Sequence, residues 1–127
     1  MNLNRILMID DSEAEQFLYQ IILKEHFPDI KITPAYDGVE ALDIISKQDE
    51  GFDCILLDIN MPRMNGFEFL EQYAKSPKSN DNIVIMLTSS IQPKDKEKAL
   101  SYPFVKSFFM KPIDINDLKQ LEIIASS

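Results

Sequence analysis

The sequence is poor in the residues that build disulfide scaffolds, zinc sites and nucleotide-binding loops. Its 127 residues include one Cys, one His and no Trp, which excludes a disulfide framework and a zinc site of Cys and His ligands. The three glycines, Gly38, Gly51 and Gly66, lie too far apart to form a glycine-rich phosphate-binding loop. The single thiol, Cys54, lies in an apolar run and is predicted to be buried.

The sequence is also short of positive charge and of long apolar runs. It has 13 basic and 21 acidic side chains and a net charge of -8, and such a field repels nucleic acid and anionic lipid. Lys94, Lys96 and Lys98 alternate with acidic residues, a pattern typical of a solvated helix face. No stretch approaches the roughly 20 apolar residues of a membrane span. We therefore expect neither nucleic-acid nor membrane binding, and the unpaired thiol and the lack of an export signal favour the cytoplasm.

What the sequence does contain is a regular alternation of short apolar runs with segments of helical period. The runs predict five strands: Arg5–Ile9, Ile30–Thr33, Cys54–Leu57, Ile83–Leu87 and Ser107–Met110. Two neighbouring parallel strands must be joined by a long crossover connection, and each helical segment can supply one. The pattern therefore predicts one α/β domain over residues 1–127, with a doubly wound parallel sheet and helices on both faces.

The first helical segment has a clear start. Ser12 is predicted to cap it, and Glu15, three residues on, is predicted to complete a capping box. The helical spacing of its apolar residues predicts one buried face, formed by Ala14, Phe17, Leu18, Ile21 and Ile22.

Polar side chains stand where the predicted strands end. They are Asp10 and Asp11 after the first strand, Asp58 at the end of the third, Thr88 and Ser89 at the end of the fourth, and Lys111 after the fifth. The carboxyl ends of parallel strands meet at one edge of a sheet, where ligands of such folds bind. We therefore expect these side chains to converge on one site.

The three acids at this edge indicate a divalent cation. Carboxylates a few ångströms apart repel one another, and a cation removes that repulsion. Carboxylate oxygens and water suit Mg²⁺ or Mn²⁺, so Asp10 and Asp11 are predicted metal ligands. Asp58, on the central strand, is the predicted nucleophile for an aspartyl phosphate, with Lys111 and Thr88 holding the phosphoryl oxygens.

Five stretches of the sequence carry a resemblance to a known family. They are Ile9-Asp10-Asp11, Asp37 to Leu42, Leu56 to Gly66, Leu87-Thr88-Ser89 and Met110-Lys111-Pro112. In this order and at these strand ends, they resemble the receiver domain of bacterial two-component response regulators. The resemblance implies a flavodoxin-like (βα)5 fold with strand order 2-1-3-4-5. It also implies that Asp58 accepts a phosphoryl group from a histidine kinase or a histidine phosphotransfer protein.

The resemblance further implies individual roles around Asp58. Mg²⁺ would be bound by Asp11, by Asp58 and by the backbone carbonyl of Asn60, with Asp10 acting through water. Mn²⁺ is the alternative ion.

The same resemblance describes how the site would switch. Thr88 and Lys111 would contact the phosphoryl oxygens, and Phe108 would turn inward when Thr88 moves. The peptide bond before Pro112 would be cis.

The sequence departs from the family pattern before the fifth strand. Phe104-Val105 stands where Gly-Ala is common, which puts bulky groups near the face formed by helix 4, strand 5 and helix 5. There they either contact a partner or pack inward. We expect a downstream protein to bind this face, and the chain to be a monomer or a weak homodimer. Only one helix follows Pro112, so no output domain is expected.

Two other functions fit parts of this pattern. A small Mg²⁺-dependent phosphohydrolase would share the aspartyl intermediate, but Asn60 stands where its second Asp is needed. A binding module of the same fold that is never phosphorylated would not require the complete set of acids, Thr and Lys.

Overall fold

Strands and helices alternate along the chain in the computed structural model, which describes residues 3–48, 51–61, 63–80, 82–89 and 92–126. Pro62, part of one matched stretch, lies outside these residues. The strands are β1 (Arg5–Ile9), β2 (Lys31–Ala35), β3 (Cys54–Asp58), β4 (Val84–Thr88) and β5 (Val105–Met110). The α-helices are α1 (Glu13–His26), α2 (Gly38–Lys47), α3 (Gly66–Ala74), α4 (Pro93–Leu100) and α5 (Ile115–Ser126), and a short 3-10 helix spans Pro77–Asn80.

The strands form one parallel sheet in the order β2-β1-β3-β4-β5. This order confirms the doubly wound, flavodoxin-like fold. β3 and β4 are buried along their whole length, which explains why they consist of almost continuous apolar residues. Cys54 is buried in β3, as predicted.

The two faces of the sheet pack against different helices. Alternate residues of β1 and β3 belong to opposite core clusters, because successive side chains of a strand point to opposite faces. One cluster includes residues of α1 and α5, namely Tyr19, Leu23, Leu118 and Leu121. The other includes residues of α2, α3 and α4, namely Ala41, Ile45, Phe69, Tyr73 and Ala99. In the described part of the chain, no helix is both long and apolar enough to cross a bilayer.

The predicted buried face of α1 is wrong. Phe17, Leu18 and Ile21 are 70%, 45% and 43% exposed, Ala14 is exposed and Ile22 is half-buried. The residues that α1 buries are instead Gln16, Tyr19 and Leu23.

Gln16 explains this rotation of α1. Its side-chain Nε2 donates to the backbone carbonyls of Met8, Asp10 and Ala35 at 3.0, 3.1 and 3.0 Å. These bonds join the first helix to the ends of β1 and β2, and they require a polar residue on the inner face. The spacing of the apolar residues, taken alone, therefore predicts the wrong buried face for this helix.

The bulky pair before β5 packs inward. Phe104 and Val105 are both buried, and the Phe104 ring meets Tyr73 edge-on and stacks on Tyr102. Of the two alternatives left open for this pair, the structure therefore selects inward packing.

Gly66 begins α3 in close contact with the segment that follows β3. A Cβ added there would lie 2.9 Å from Cα of Ile59 and 3.0 Å from the carbonyl oxygen of Asp58. Backbone atoms at these distances cannot move aside like a flexible side chain. Gly66 therefore allows α3 to pack directly against the end of β3.

We predict that Gly66→Ala lowers the free energy of unfolding by about 1 to 3 kcal/mol, the usual range for overpacking. Gly51→Ala is the matched control, because an added Cβ there would meet only Asn82 Oδ1, at 3.5 Å. That variant should be unchanged or more stable by up to about 1 kcal/mol. Urea unfolding of the three proteins checks this, and an equal effect of both substitutions would contradict the packing argument.

Candidate functional site

The side chains predicted to form a site meet around the ammonium of Lys111. Its Nζ lies 3.1 Å from Asp58 Oδ1, 3.2 Å from Asp10 Oδ2 and 2.7 Å from Glu15 Oε2. Asp10 and Asp58 are buried, and the Lys111 side chain is 11% exposed. Two predicted acids and the predicted lysine are therefore in contact, together with one acid that the sequence did not single out.

The register of the parallel strands places these groups. Ile9 of β1 pairs with Leu57 of β3, so the next residues, Asp10 and Asp58, come side by side at the strand ends. Lys111 follows β5, and its backbone N–H donates to the carbonyl of Thr88 at 2.8 Å. The peptide bond between Lys111 and Pro112 is cis, as the resemblance implied.

Thr88 and Phe108 lie on the neighbouring strands. Leu87 of β4 pairs with Asp58, so Thr88, one residue on and buried, ends β4 at the same edge. Phe108 pairs with Met86 in the sheet and is half-buried against the core beneath α2, α3 and α4. The structure thus places the buried Thr88 at the site edge, and Phe108 on β5, two residues before the β5 residue that pairs with Thr88.

Asp11 and Asn60 are exposed residues close to the site in sequence. The three acids whose oxygens lie within 4.8 Å of one another, among the residues that the structure describes, are Asp10, Glu15 and Asp58. Asp11 is not in this set, although its charge is one of the influences that raise the pKa of Asp58. The metal-binding roles of Asp11 and Asn60 remain predictions.

Glu15 is the site residue that sequence reasoning missed. It stands three residues after Ser12, and the capping-box pattern accounted for it. Ser12 Oγ does accept from the Glu15 backbone N–H, at 3.2 Å. The second half of the predicted box is wrong, because the Ser12 N–H donates to Asp10 Oδ1 at 2.9 Å and the Glu15 carboxylate contacts Lys111 instead. The only sequence signal was an acid in the first turn of a helix that begins at the site.

The electrostatics of the site show an excess of negative charge. Burial, with the contact to Glu15, raises the pKa of Asp10 to about 7, although the Ser12 N–H and Lys111 act in the opposite direction. Burial also raises the pKa of Asp58. Burial alone would lower the pKa of Lys111, but the carboxylates of Glu15, Asp58 and Asp10 outweigh it and raise that pKa. One ammonium therefore does not neutralise the acids around it.

The donor set fits a hard divalent cation. Two buried carboxylates and a third beside them offer oxygen ligands, which Mg²⁺ prefers, and the excess negative charge would be neutralised by its binding. The site also includes the ammonium group of Lys111 and the hydroxyl group of Thr88. An acidic pocket with these groups is suited to holding Mg²⁺ together with a phosphoryl group.

Comparison with known proteins agrees with this chemistry. The family model described as "Response regulator receiver domain" matches residues 6–122. Protein PilH of Pseudomonas aeruginosa is 31% identical over 111 residues, which is 87% of each chain. Hybrid signal transduction histidine kinase B of Dictyostelium discoideum is 29% identical over 127 residues, 91% of this chain and 6% of that protein. The chain thus spans only a small part of some relatives that it matches.

The fold has close counterparts among solved structures. A two-component response regulator from Cytophaga hutchinsonii superposes with a TM-score of 0.88 at 27% identity, covering 99% of this chain and 98% of that one. The match of the family model to nearly the whole chain is the decisive finding. The chain therefore belongs to the response regulator receiver domain family, whose members are phosphorylation-controlled signalling switches.

Proposed function

We propose that this chain accepts a phosphoryl group on Asp58, from a phosphohistidine of a histidine kinase or a histidine phosphotransfer protein, and signals by protein contact. The observation that carries the proposal is the position of the Asp58 carboxylate. It ends a central strand, 3.1 Å from the Lys111 ammonium and beside the buried Asp10. Family membership favours this switch over the phosphohydrolase alternative.

The groups for the transfer all come from this chain. An oxygen of Asp58 forms the new bond to phosphorus while the bond from phosphorus to the histidine nitrogen breaks. Lys111 and the Thr88 hydroxyl hold the phosphoryl oxygens. Since the receiver supplies these groups itself, we propose that it also takes a phosphoryl group from a small donor and loses it slowly to water.

The metal ligands proposed for this step are Asp11, Asp58 and the carbonyl of Asn60, with Asp10 acting through water. Bound Mg²⁺, or Mn²⁺, would neutralise the charge between the carboxylates and the incoming phosphoryl group.

The output surface that we propose is the face of α4, β5 and α5. Thr88 would move toward the phosphoryl group and Phe108 would turn inward, linking the site to this face. Leu100 ends α4, Met110 ends β5 and Ile115 begins α5, and all three are exposed apolar residues. Their exposure supports contact with a downstream protein there. We propose that the chain acts in the cytoplasm, on the basis of its lone, buried thiol. We also propose that it is a monomer or a weak homodimer.

A second surface suits the phosphoryl donor. Phe17, Leu18 and Ile21 form an exposed apolar face on α1, and the same helix carries Glu15, which contacts Lys111. A protein that brings a phosphohistidine to Asp58 must pack beside this edge of the sheet. We propose that the donor protein covers this face of α1.

We predict that acetyl phosphate labels Asp58 when Mg²⁺ is present and not in EDTA. Intact-mass spectrometry should show a gain of one phosphoryl group for wild type and for the control Asp43→Asn, whose exposed side chain pairs with Lys47 on α2. Asp58→Asn should show none. The assignment of Asp58 fails if that variant is labelled as well as wild type.

We predict an unusual pH dependence of stability without metal. The pKa of Asp10 is about 7 in the folded state against 3.8 unfolded, so the folded protein binds more protons between these values. Its free energy of unfolding should therefore fall as the pH rises, by about 1 kcal/mol or more between about pH 5 and pH 7.5 in EDTA.

Two comparisons isolate this effect. Asp10→Asn should lose most of the dependence. Mg²⁺ at about pH 7.5 should stabilise wild type, by about 2.7 kcal/mol at a hundredfold excess over Kd. Denaturant unfolding at the two pH values measures both. The prediction would be contradicted if the free energy of unfolding of wild type changed with pH in the same way as that of Asp10→Asn.

We predict that Phe17→Ser slows transfer from a phosphorylated histidine phosphotransfer protein by about tenfold, the effect of losing about 1.4 kcal/mol of contact. Labelling by acetyl phosphate should be unchanged, since Phe17 is 70% exposed and is not one of the groups proposed for the transfer. Ile123→Ser, on the exposed face of α5, is the control and should transfer normally. Equal slowing by both donors, or by both variants, would argue against donor docking on α1.

A further inference from the structure

The shortest contact of the Lys111 ammonium is with Glu15, not with the two acids of the proposed phosphorylation site. The distance is 2.7 Å to Glu15, against 3.1 Å to Asp58 and 3.2 Å to Asp10. An ammonium has three N–H donors, and three carboxylates occupy them. A phosphoryl oxygen that binds Lys111 must therefore displace one of these partners.

We propose that Glu15 is a positioning residue that holds Lys111 in the unphosphorylated protein and must release it when a phosphoryl group arrives at Asp58. This inference rests on the proposed function, because it concerns the lysine that would bind the phosphoryl oxygens. Glu15 thereby opposes the phosphorylated state and sets how readily it forms.

The surroundings of the three acids indicate which contact is given up. Asp10 is buried at the end of β1, and its Oδ1 accepts from the backbone N–H of Ser12. Asp58 stays in place because it carries the phosphoryl group. The Glu15 side chain is 37% exposed on the first turn of α1, so its carboxylate can rotate into water, where it is solvated again.

The charge of the phosphoryl group acts in the same direction. It brings additional negative charge to Lys111, and the Glu15 carboxylate would then lie beside a further anion, in addition to Asp10 and Asp58. Glu15 therefore competes for the cation before phosphorylation and is repelled after it. Replacing Glu15 by Gln keeps the size of the side chain and removes this competing charge.

Beryllofluoride, a small anion that mimics a phosphoryl group on a carboxylate, tests the proposal. The chain has no Trp, so binding is followed by amide NMR, in saturating Mg²⁺. We expect Glu15→Gln to bind beryllofluoride three- to tenfold more tightly than wild type. Glu13→Gln is the matched control: it removes the same charge from the same helical turn at an exposed position, and its affinity should stay within twofold of wild type.

A second readout follows Lys111 directly. The side-chain carbon resonances next to the Lys111 ammonium should differ between wild type and Glu15→Gln before beryllofluoride is added. They should coincide afterwards, because Glu15 has then left. A merely structural role of Glu15 would not produce this convergence. Thermal melting and the amide spectrum confirm that both variants are folded.

Three results would overturn the proposal. Weaker binding by Glu15→Gln would mean that Glu15 helps to bind the metal or the anion. Equal tightening by Glu13→Gln would mean that only overall charge matters. Lys111 resonances that remain as different after binding as before would mean that Glu15 stays in contact. Failure of the proposed function would look different, since wild type itself would then show no Mg²⁺-dependent binding at Asp58, and the inference would fall with it.

Discussion

The contact between one ammonium and three carboxylates is the interaction on which the site depends. Lys111 follows β5, Asp10 follows β1 and Asp58 ends β3, so residues far apart in sequence meet only when the parallel sheet has formed in this order and register. The acids gathered there repel one another, and Lys111 offsets only part of their charge. The fold thus holds an incompletely neutralised anionic pocket, which is the condition for binding a divalent cation and then a phosphoryl group.

The strands were predictable where both faces of the strand are buried and its residues must be apolar. The bounds of β1 were predicted correctly, and those of β3 and β4 to within one residue, because strands covered on both faces are apolar without interruption. β2 was predicted to stop at Thr33, but it continues through Pro34 to Ala35. It is one of the two edge strands of the sheet, and an edge tolerates a proline that lacks an N–H donor. Propensity alone cannot show which strand will lie at the edge.

The errors in α1 have a common physical cause. A hydrogen-bonding side chain, Gln16, turns the helix so that Phe17, Leu18 and Ile21 face outward. The Glu15 carboxylate contacts Lys111 instead of completing the helix cap. Both effects depend on partners from β1, from β2 and from the residue after β5, so local periodicity and a local capping pattern could not reveal them. Asp10, Asp58 and Lys111 were predictable because the rule that strand ends converge requires no knowledge of side-chain partners. Glu15 was not predictable as a site residue, because a capping box with Ser12 already accounted for an acid at its position.

The central claim is that Asp58 receives the phosphoryl group and that Lys111 holds it. The most direct measurement is a crystal structure of the protein with Mg²⁺ and beryllofluoride. The account predicts beryllium bonded to a carboxylate oxygen of Asp58, with Lys111 Nζ and the Thr88 hydroxyl within hydrogen-bonding distance of its fluorines. Beryllofluoride on another carboxylate, or on Asp58 with Lys111 still bound to Glu15 and remote from the fluorines, would contradict it.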